Sequence, residues 1–360
     1  MRLHSACRTI VAAMIVFSLA CSNGCGRRDR DDSAYLRDNS AQSGTSSSVA
    51  EQAGELDSDK LAVIEEVDLR DGEITAERLD ALAGNEALRR LTLAGSDIDD
   101  AGIDRLADLP RLTVLDLTGC ESLTPTALDA IGRMRGLRNL RLSGPVVDDR
   151  TVTNLAGLSE LAALLLRETA LTDAGAAKLT SLSKLKELNL FGTPVSDVSL
   201  ESLAKLPRLE KLGLRGTAVT GRDVTALATM QNVVELDLSE TGFDNAGMAD
   251  VAAMPALQRL NLWLTRVDDS GVARLRDHAA LTSLNLDNVS GITDESLPVI
   301  ESLRSLTFLH LGGTSVTPAG LSRWAPPQQL ETLILTRLGL PVEQAAALRQ
   351  RLPGLDRLDY

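Results

Sequence analysis

The stretch Ser96–Leu106 reads SDIDDAGIDRL and spaces its carboxylates like a metal loop. Asp97, Asp99 and Gly102 fall on the first, third and sixth places of a calcium-binding loop, and Asp108 on the twelfth. Calcium chemistry needs those oxygens gathered into one shell. Other chemistry is thinly supplied. The chain has three histidines, His4, His278 and His310, and four cysteines, Cys7, Cys21, Cys25 and Cys120. A nucleophile needs a base within hydrogen-bond reach, and Cys120 and His310 lie far apart along the chain. Cys120 itself reads as a buried small hydrophobe. No glycine-rich phosphate loop, paired zinc ligands or dinucleotide fingerprint is present. The composition therefore points away from an enzyme, and no metal or cofactor is expected.

The elements that hold these carboxylates explain them. From Ile64 the chain repeats every 24 or occasionally 25 residues, with unit starts at Ile64, Leu88, Leu112, Leu137, Leu161, Leu185, Leu209, Val233, Leu257, Leu281, Leu306 and Leu330. Each unit opens on a strand pattern L-x-x-L-x-L, as in LRRLTL, LKELNL and LTFLHL. It then turns, often through Gly-Thr, and enters a short amphipathic helix such as the one carrying Ile103, Leu106 and Leu109. In this register Asp99 aligns with Thr124, Asp148, Thr172, Ser196, Thr220, Asp244, Asp268, Thr293 and Thr317, all good helix N-caps. The following position holds Asp100, Pro125, Asp149, Asp173, Asp197, Asp269, Asp294 or Pro318. An acid there faces the positive helix end, and Pro suits the first turn. Thr and Pro replace the acids freely, so the carboxylates are read as caps rather than calcium ligands.

The 24-residue unit, matched twelve times in register, resembles the leucine-rich-repeat superfamily over about 300 of the 360 residues. LDLTGCESLT around Cys120 is similar to the cysteine-containing subclass found in F-box substrate receptors. No F-box precedes Ile64, and most other units carry Thr where Cys120 stands, as in bacterial exported repeat proteins. The resemblance implies an α/β solenoid with a curved parallel sheet on the concave face and short helices on the convex face. The folded domain is expected over residues 59–360, as about twelve repeats and a terminal half repeat, LDRLDY.

Strand alternation sends the leucines inward and leaves three outward positions per unit on the sheet. The third row reads Ser143, Arg167, Phe191, Arg215, Ser239 and Trp263. The middle row contains Arg141, Leu165, Asn189, Gly213, Asp237, Asn261, Asn285 and His310, and the first contains Lys211, Glu235, Arg259 and Phe308. Phe243 and Trp324 replace core Val and Leu positions, whereas Phe191, Trp263 and Phe308 all fall on the outward rows. Exposed aromatics flanked by arginine are the composition of interface hot spots. The alternative is stacking on neighbouring strands. Arg141, Leu165, Arg167, Phe191, Arg215, Arg259, Trp263 and Phe308 are the candidate partner-binding residues.

Residues 1–20 read as a signal peptide: Arg2 and Arg8 precede an eleven-residue apolar run, Ile10 to Ala20. FSLAC resembles a bacterial lipoprotein signal, which implies lipidation of Cys21 and attachment to a membrane through that lipid alone. Ser18 departs from the leucine usual there and also suits ordinary cleavage, and Cys25 is a second possible site. Residues 21–58, rich in Ser, Gly, Asp and Arg, are expected to be a disordered tether. The net charge of −13 argues against a nucleic-acid partner. Export to the bacterial cell envelope and binding of a protein partner on the concave face are the expected role. A glycan or cell-wall ligand stacked on Phe191 and Trp263 is the alternative, and an enzyme-associated adaptor a remote one.

Overall fold

The computed structural model describes residues 64–222 and 225–360. The signal, the tether and the Cys21 site lie outside these residues. Thirteen parallel strands, from Glu66–Asp68 to Arg357–Asp359, form one sheet in strict sequence order. The register holds the repeat in phase: Leu164 pairs with Leu188, Leu188 with Leu212, and Leu212 with Leu236. These inward leucines are fully buried, as are their partners two residues on, Leu166, Leu190, Leu214 and Leu238. Phe243 and Trp324 are core residues as expected, and Cys120 is buried with its thiol donating to the Leu93 carbonyl at 3.0 Å. Burial pushes the Cys120 thiol above its ordinary range. One apolar ribbon thus runs through every unit, each of which buries its faces only against its neighbours.

Each of the first twelve strands exits through a residue with left-handed backbone. Glycine fills that place at 95, 119, 144, 192, 216 and 313, while Asp71, Glu168, Glu240, Leu264, Asn288 and Arg337 hold it with φ between 53° and 66°. The unit between Leu137 and Leu161 departs from the expected helix. Its connection is a 3₁₀ helix, Thr151–Gly157, with Asp148 accepting from the Arg150 and Thr151 amides at 2.9 and 2.8 Å. In the Leu209 unit the helix is only Ala226–Thr229, so Thr220 stands well before it and does not cap it.

Asp244 likewise stands four residues before its helix, Met248–Ala252, and accepts from the Ala246 amide at 2.9 Å without capping it. The other caps form as read. Asp99 accepts from Gly102 N at 2.8 Å, Thr317 from Gly320 N at 3.0 Å, and Ser196 from Val198 N at 3.3 Å. The acids at the next position do more than face a helix end. Asp173 reaches into the following unit, where its two oxygens accept the Ser196 amide at 2.7 Å and the Ser196 hydroxyl at 2.6 Å. Asp149 does the same to Thr172 at 2.8 and 2.6 Å, and Asp294 to Thr317 at 2.8 and 2.7 Å. Asp100, Asp197 and Asp269 repeat the motif on Thr124, Thr220 and Thr293. Asn245 offers its amide oxygen to the Asp268 amide at 3.0 Å. Each hydroxyl is therefore a relay that donates to the preceding acid, and most also cap their own helix. Pro125 and Gly221 have no such side chain, and at Gly221 an Arg222–Asp244 ion pair of 2.7 Å stands nearby.

Candidate functional site

The outward row that carries the aromatics is built by five consecutive strands, and the geometry joins its members. The Arg167 guanidinium lies over the Phe191 ring at 5.0 Å from the centroid, and Arg215 lies over the same ring at 5.2 Å. Arg215 also lies over the Trp263 ring at 4.8 Å. Arg167, Phe191, Arg215 and Trp263 thus form one alternating cation–π chain, spanning roughly 19 Å at about 4.8 Å per strand. Ser239 makes this possible. It occupies the row between Arg215 and Trp263, is fully buried, and turns its hydroxyl down to Asp237 at 2.6 Å. A larger side chain there would hold the arginine and the indole apart.

Residues beside the row fix it in place. Asn189 Oδ1 accepts the Phe191 amide at 2.9 Å, and Asn261 Oδ1 accepts the Trp263 amide at 3.1 Å. Glu240 accepts from Arg215 Nε at 2.8 Å, holding the shared guanidinium. Glu240 and Leu264 are both left-handed, with φ of 55° and 53°, and Leu264 leaves 46% of its surface exposed beside Trp263. Both occupy the left-handed strand-exit position that recurs along the sheet, a conformation that non-glycine residues resist. The Trp263 indole N–H is covered and finds no acceptor among the described residues. Leaving a buried donor unmade is costly, so packing alone gives no reason to prefer Trp there.

The middle of the face is less open than strand alternation implies. Glu235, Asp237 and Asn261 are outward in register yet 8%, 6% and 7% exposed. Arg259 pairs with Glu235 at 2.6 Å, Asp237 accepts from the Ser239 hydroxyl, and Asn261 accepts from the Trp263 amide. Burial raises the Asp237 carboxyl above its ordinary value, against the Ser239 hydrogen bonds and the Arg215 charge that lower it.

Among the eight candidates, four meet in the stack. Leu165 is half-buried two residues before Arg167 on the same strand. Arg141 stands one strand away in register with Leu165 and lies 3.5 Å from Asp116. Arg259 is occupied by Glu235, and Phe308 lies in the first row in register with Ser283 and Thr332, outside the stack. Glu240, Ser239, Asn189, Asn261 and Leu264 belong to the site but were not singled out from sequence. The repeated N-x-aromatic of N-L-F and N-L-W was the available signal for the two asparagines.

Ion pairs run across the whole face. Arg90 pairs with Glu66, Lys211 with Glu187, Arg215 with Glu240 and Arg337 with Asp287. Arg70 pairs with Asp68 and Arg357 with Asp359. Arg167 alone among the basic side chains of the described sheet rows has no carboxylate within ion-pair distance. His310 Nδ1 sits 3.1 Å from Asn285 Oδ1, and His278 Nε2 3.1 Å from the Met254 carbonyl. Among the described residues no three His, Cys, Asp or Glu side chains converge as metal ligands.

Comparison with known proteins identifies the repeat. A leucine-rich-repeat family model matches residues 181–204. An internalin of Listeria monocytogenes superposes with a TM-score of 0.60 at 20% identity, covering 85% of this chain and 89% of that one. TLR13, solved in complex with ssRNA13, superposes at 0.54 with 18% identity, covering 86% of this chain and 45% of that one. A search of curated proteins gives no match. At these identities the likeness is one of fold.

Proposed function

We propose that this leucine-rich-repeat solenoid is a binding scaffold that holds a protein partner against its open sheet face, with Phe191, Arg215 and Trp263 as the contact core. The observation that carries this reading is the cation–π chain itself, four long side chains pre-ordered on one row. Pre-ordering lowers the entropy lost on docking, and Trp and Arg dominate interface energetics. The same geometry disfavours a sugar ligand. Two guanidiniums already lie over the Phe191 ring, and the row-two asparagines spend their oxygens on backbone amides. Stacking a sugar would require displacing one cation. A binding role also fits the burial of Cys120 and its wide separation along the chain from either described histidine.

The test is Trp263→Ala. It should weaken partner binding by at least about 2 kcal/mol while moving the melting temperature little. Loss of stability with binding intact would make the indole a packing residue and move the search to the loops. For the N-terminal region the reading is export with Cys21 lipidated and the following segment as a tether, supported by the apolar run ending at Ala20. Mass spectrometry of the mature N-terminus tests it: a diacylated or triacylated Cys21 is expected, and an unmodified terminus would mean simple secretion.

A further inference from the structure

We infer that Arg167 and Ser143 form a carboxylate-recognising corner at the open end of the stack, which takes an Asp or Glu side chain of the partner protein. The inference rests on the sheet-face reading above. Arg167 and Ser143 are register partners on adjacent strands, Asn139–Ser143 and Ala163–Arg167, the two longest of the sheet at five residues each. Their side chains therefore leave the sheet side by side, about 4.8 Å apart at the backbone.

Both groups have a donor to spare. The Ser143 oxygen accepts the Gly119 amide at 2.7 Å, and among the described residues its own O–H has no acceptor. Arg167 is exposed, and its one described contact is the face of Phe191. That contact sets the guanidinium beside the ring, and no carboxylate lies within ion-pair distance of it among the described residues, unlike the other arginines of the face. Glu168, the next residue, makes no ion pair with it. Space is available too, because a Cβ built on Gly144, beside Ser143, would meet nothing within 4 Å. A planar guanidinium and a neighbouring hydroxyl suit the two oxygens of a carboxylate. Leu165, half-buried two residues before Arg167 on the same strand, adds apolar surface beside the pair. The protein as a whole carries −13, so an acidic partner is repelled elsewhere and drawn to this end of the row.

A random twelve-residue peptide library displayed on phage, selected against the full chain, tests the corner. Recovered peptides should be enriched in Asp or Glu over the starting library. A synthetic peptide from that pool should bind Arg167→Gln and its own Glu→Gln version at least about tenfold more weakly. Combining the two changes should cost no more than either alone. Arg167→Lys should recover only part of the loss, because ammonium cannot form the two-pronged contact. Unchanged melting temperature of Arg167→Gln, a surface residue, separates recognition from folding. Peptides without acidic enrichment, or acidic peptides that bind Arg167→Gln as well as wild type, overturn the corner. So does a library that yields no binder. Peptides lost on Trp263→Ala but indifferent to Arg167 leave the sheet-face reading standing and remove only the corner. Peptides indifferent to both remove both.

Discussion

Asp173→Ala should open the joint between the units that begin at Leu161 and Leu185. In the native fold its carboxylate holds the Ser196 amide at 2.7 Å and the Ser196 hydroxyl at 2.6 Å. Hydrogen bonds to a charged group contribute about 1.5–3 kcal/mol each. The two here share one half-buried residue and are not additive, so a loss of about 2–3 kcal/mol is expected. The amide has no other acceptor among the described residues, and the hydroxyl, released from its anchor, caps Val198 less firmly. Asp173→Asn should cost only about 1 kcal/mol, because an amide oxygen still accepts the backbone N–H, as Asn245 does for Asp268. Long repeat arrays need not unfold in one step, so the assay is native-state hydrogen exchange. The Ser196 amide should exchange about 30–140-fold faster in Asp173→Ala, at tenfold per 1.4 kcal/mol. The acceleration should fade within one unit on either side. Asp104→Ala is the control: with Arg133 it forms a solvent-exposed ion pair of 2.5 Å, and its loss should leave the Ser196 amide exchanging at the wild-type rate. If the Ser196 amide exchanges at the wild-type rate in Asp173→Ala, or if Asn is as harmful as Ala, the carboxylate is not the joint described.

Further outcomes follow from other positions. Leu264→Gly should raise stability by about 1 kcal/mol by relieving a left-handed leucine, read as a higher melting temperature, while reducing partner binding by removing an exposed apolar contact beside Trp263. Asp237 has its carboxyl raised above the ordinary 3.8 by burial, so the folded state holds its proton longer than the unfolded state. Its contribution to stability therefore falls as pH climbs from about 3.8 through the raised folded value. Asp237→Asn should flatten the denaturant midpoint over that window and should be the more stable form near neutrality. Asp99→Ala should cost about 1 kcal/mol through the lost bond to Gly102 N. Calcium should leave the wild-type melting temperature unchanged, since a ligand that does not bind cannot stabilise; a rise abolished by combining Asp97→Ala with Asp99→Ala would falsify the capping account.

The repeat length, the strand pattern and the capping residues follow from the sequence because they are local and periodic. A leucine every second or third residue can be buried in only one way once strands stack in register, and Thr, Ser or Asp before a helix has an orphan amide in reach whatever lies beyond. Alternation likewise places Arg167, Phe191, Arg215 and Trp263 on one outward row. Contacts between units depend on directions that spacing alone does not carry. Asp173 looks in sequence like an acid at a helix start, and its bond to Ser196 exists because the next turn arrives 23 residues later at 2.6–2.7 Å. Strand alternation also makes Glu235, Asp237 and Asn261 outward, yet all three are buried, Glu235 within its ion pair with Arg259. The meeting of Arg215 with Trp263 across buried Ser239 is of the same kind. Rotamers chosen by packing, two strands apart, decide it, and they turn a row of exposed residues into one ordered surface with a single arginine left to reach outward.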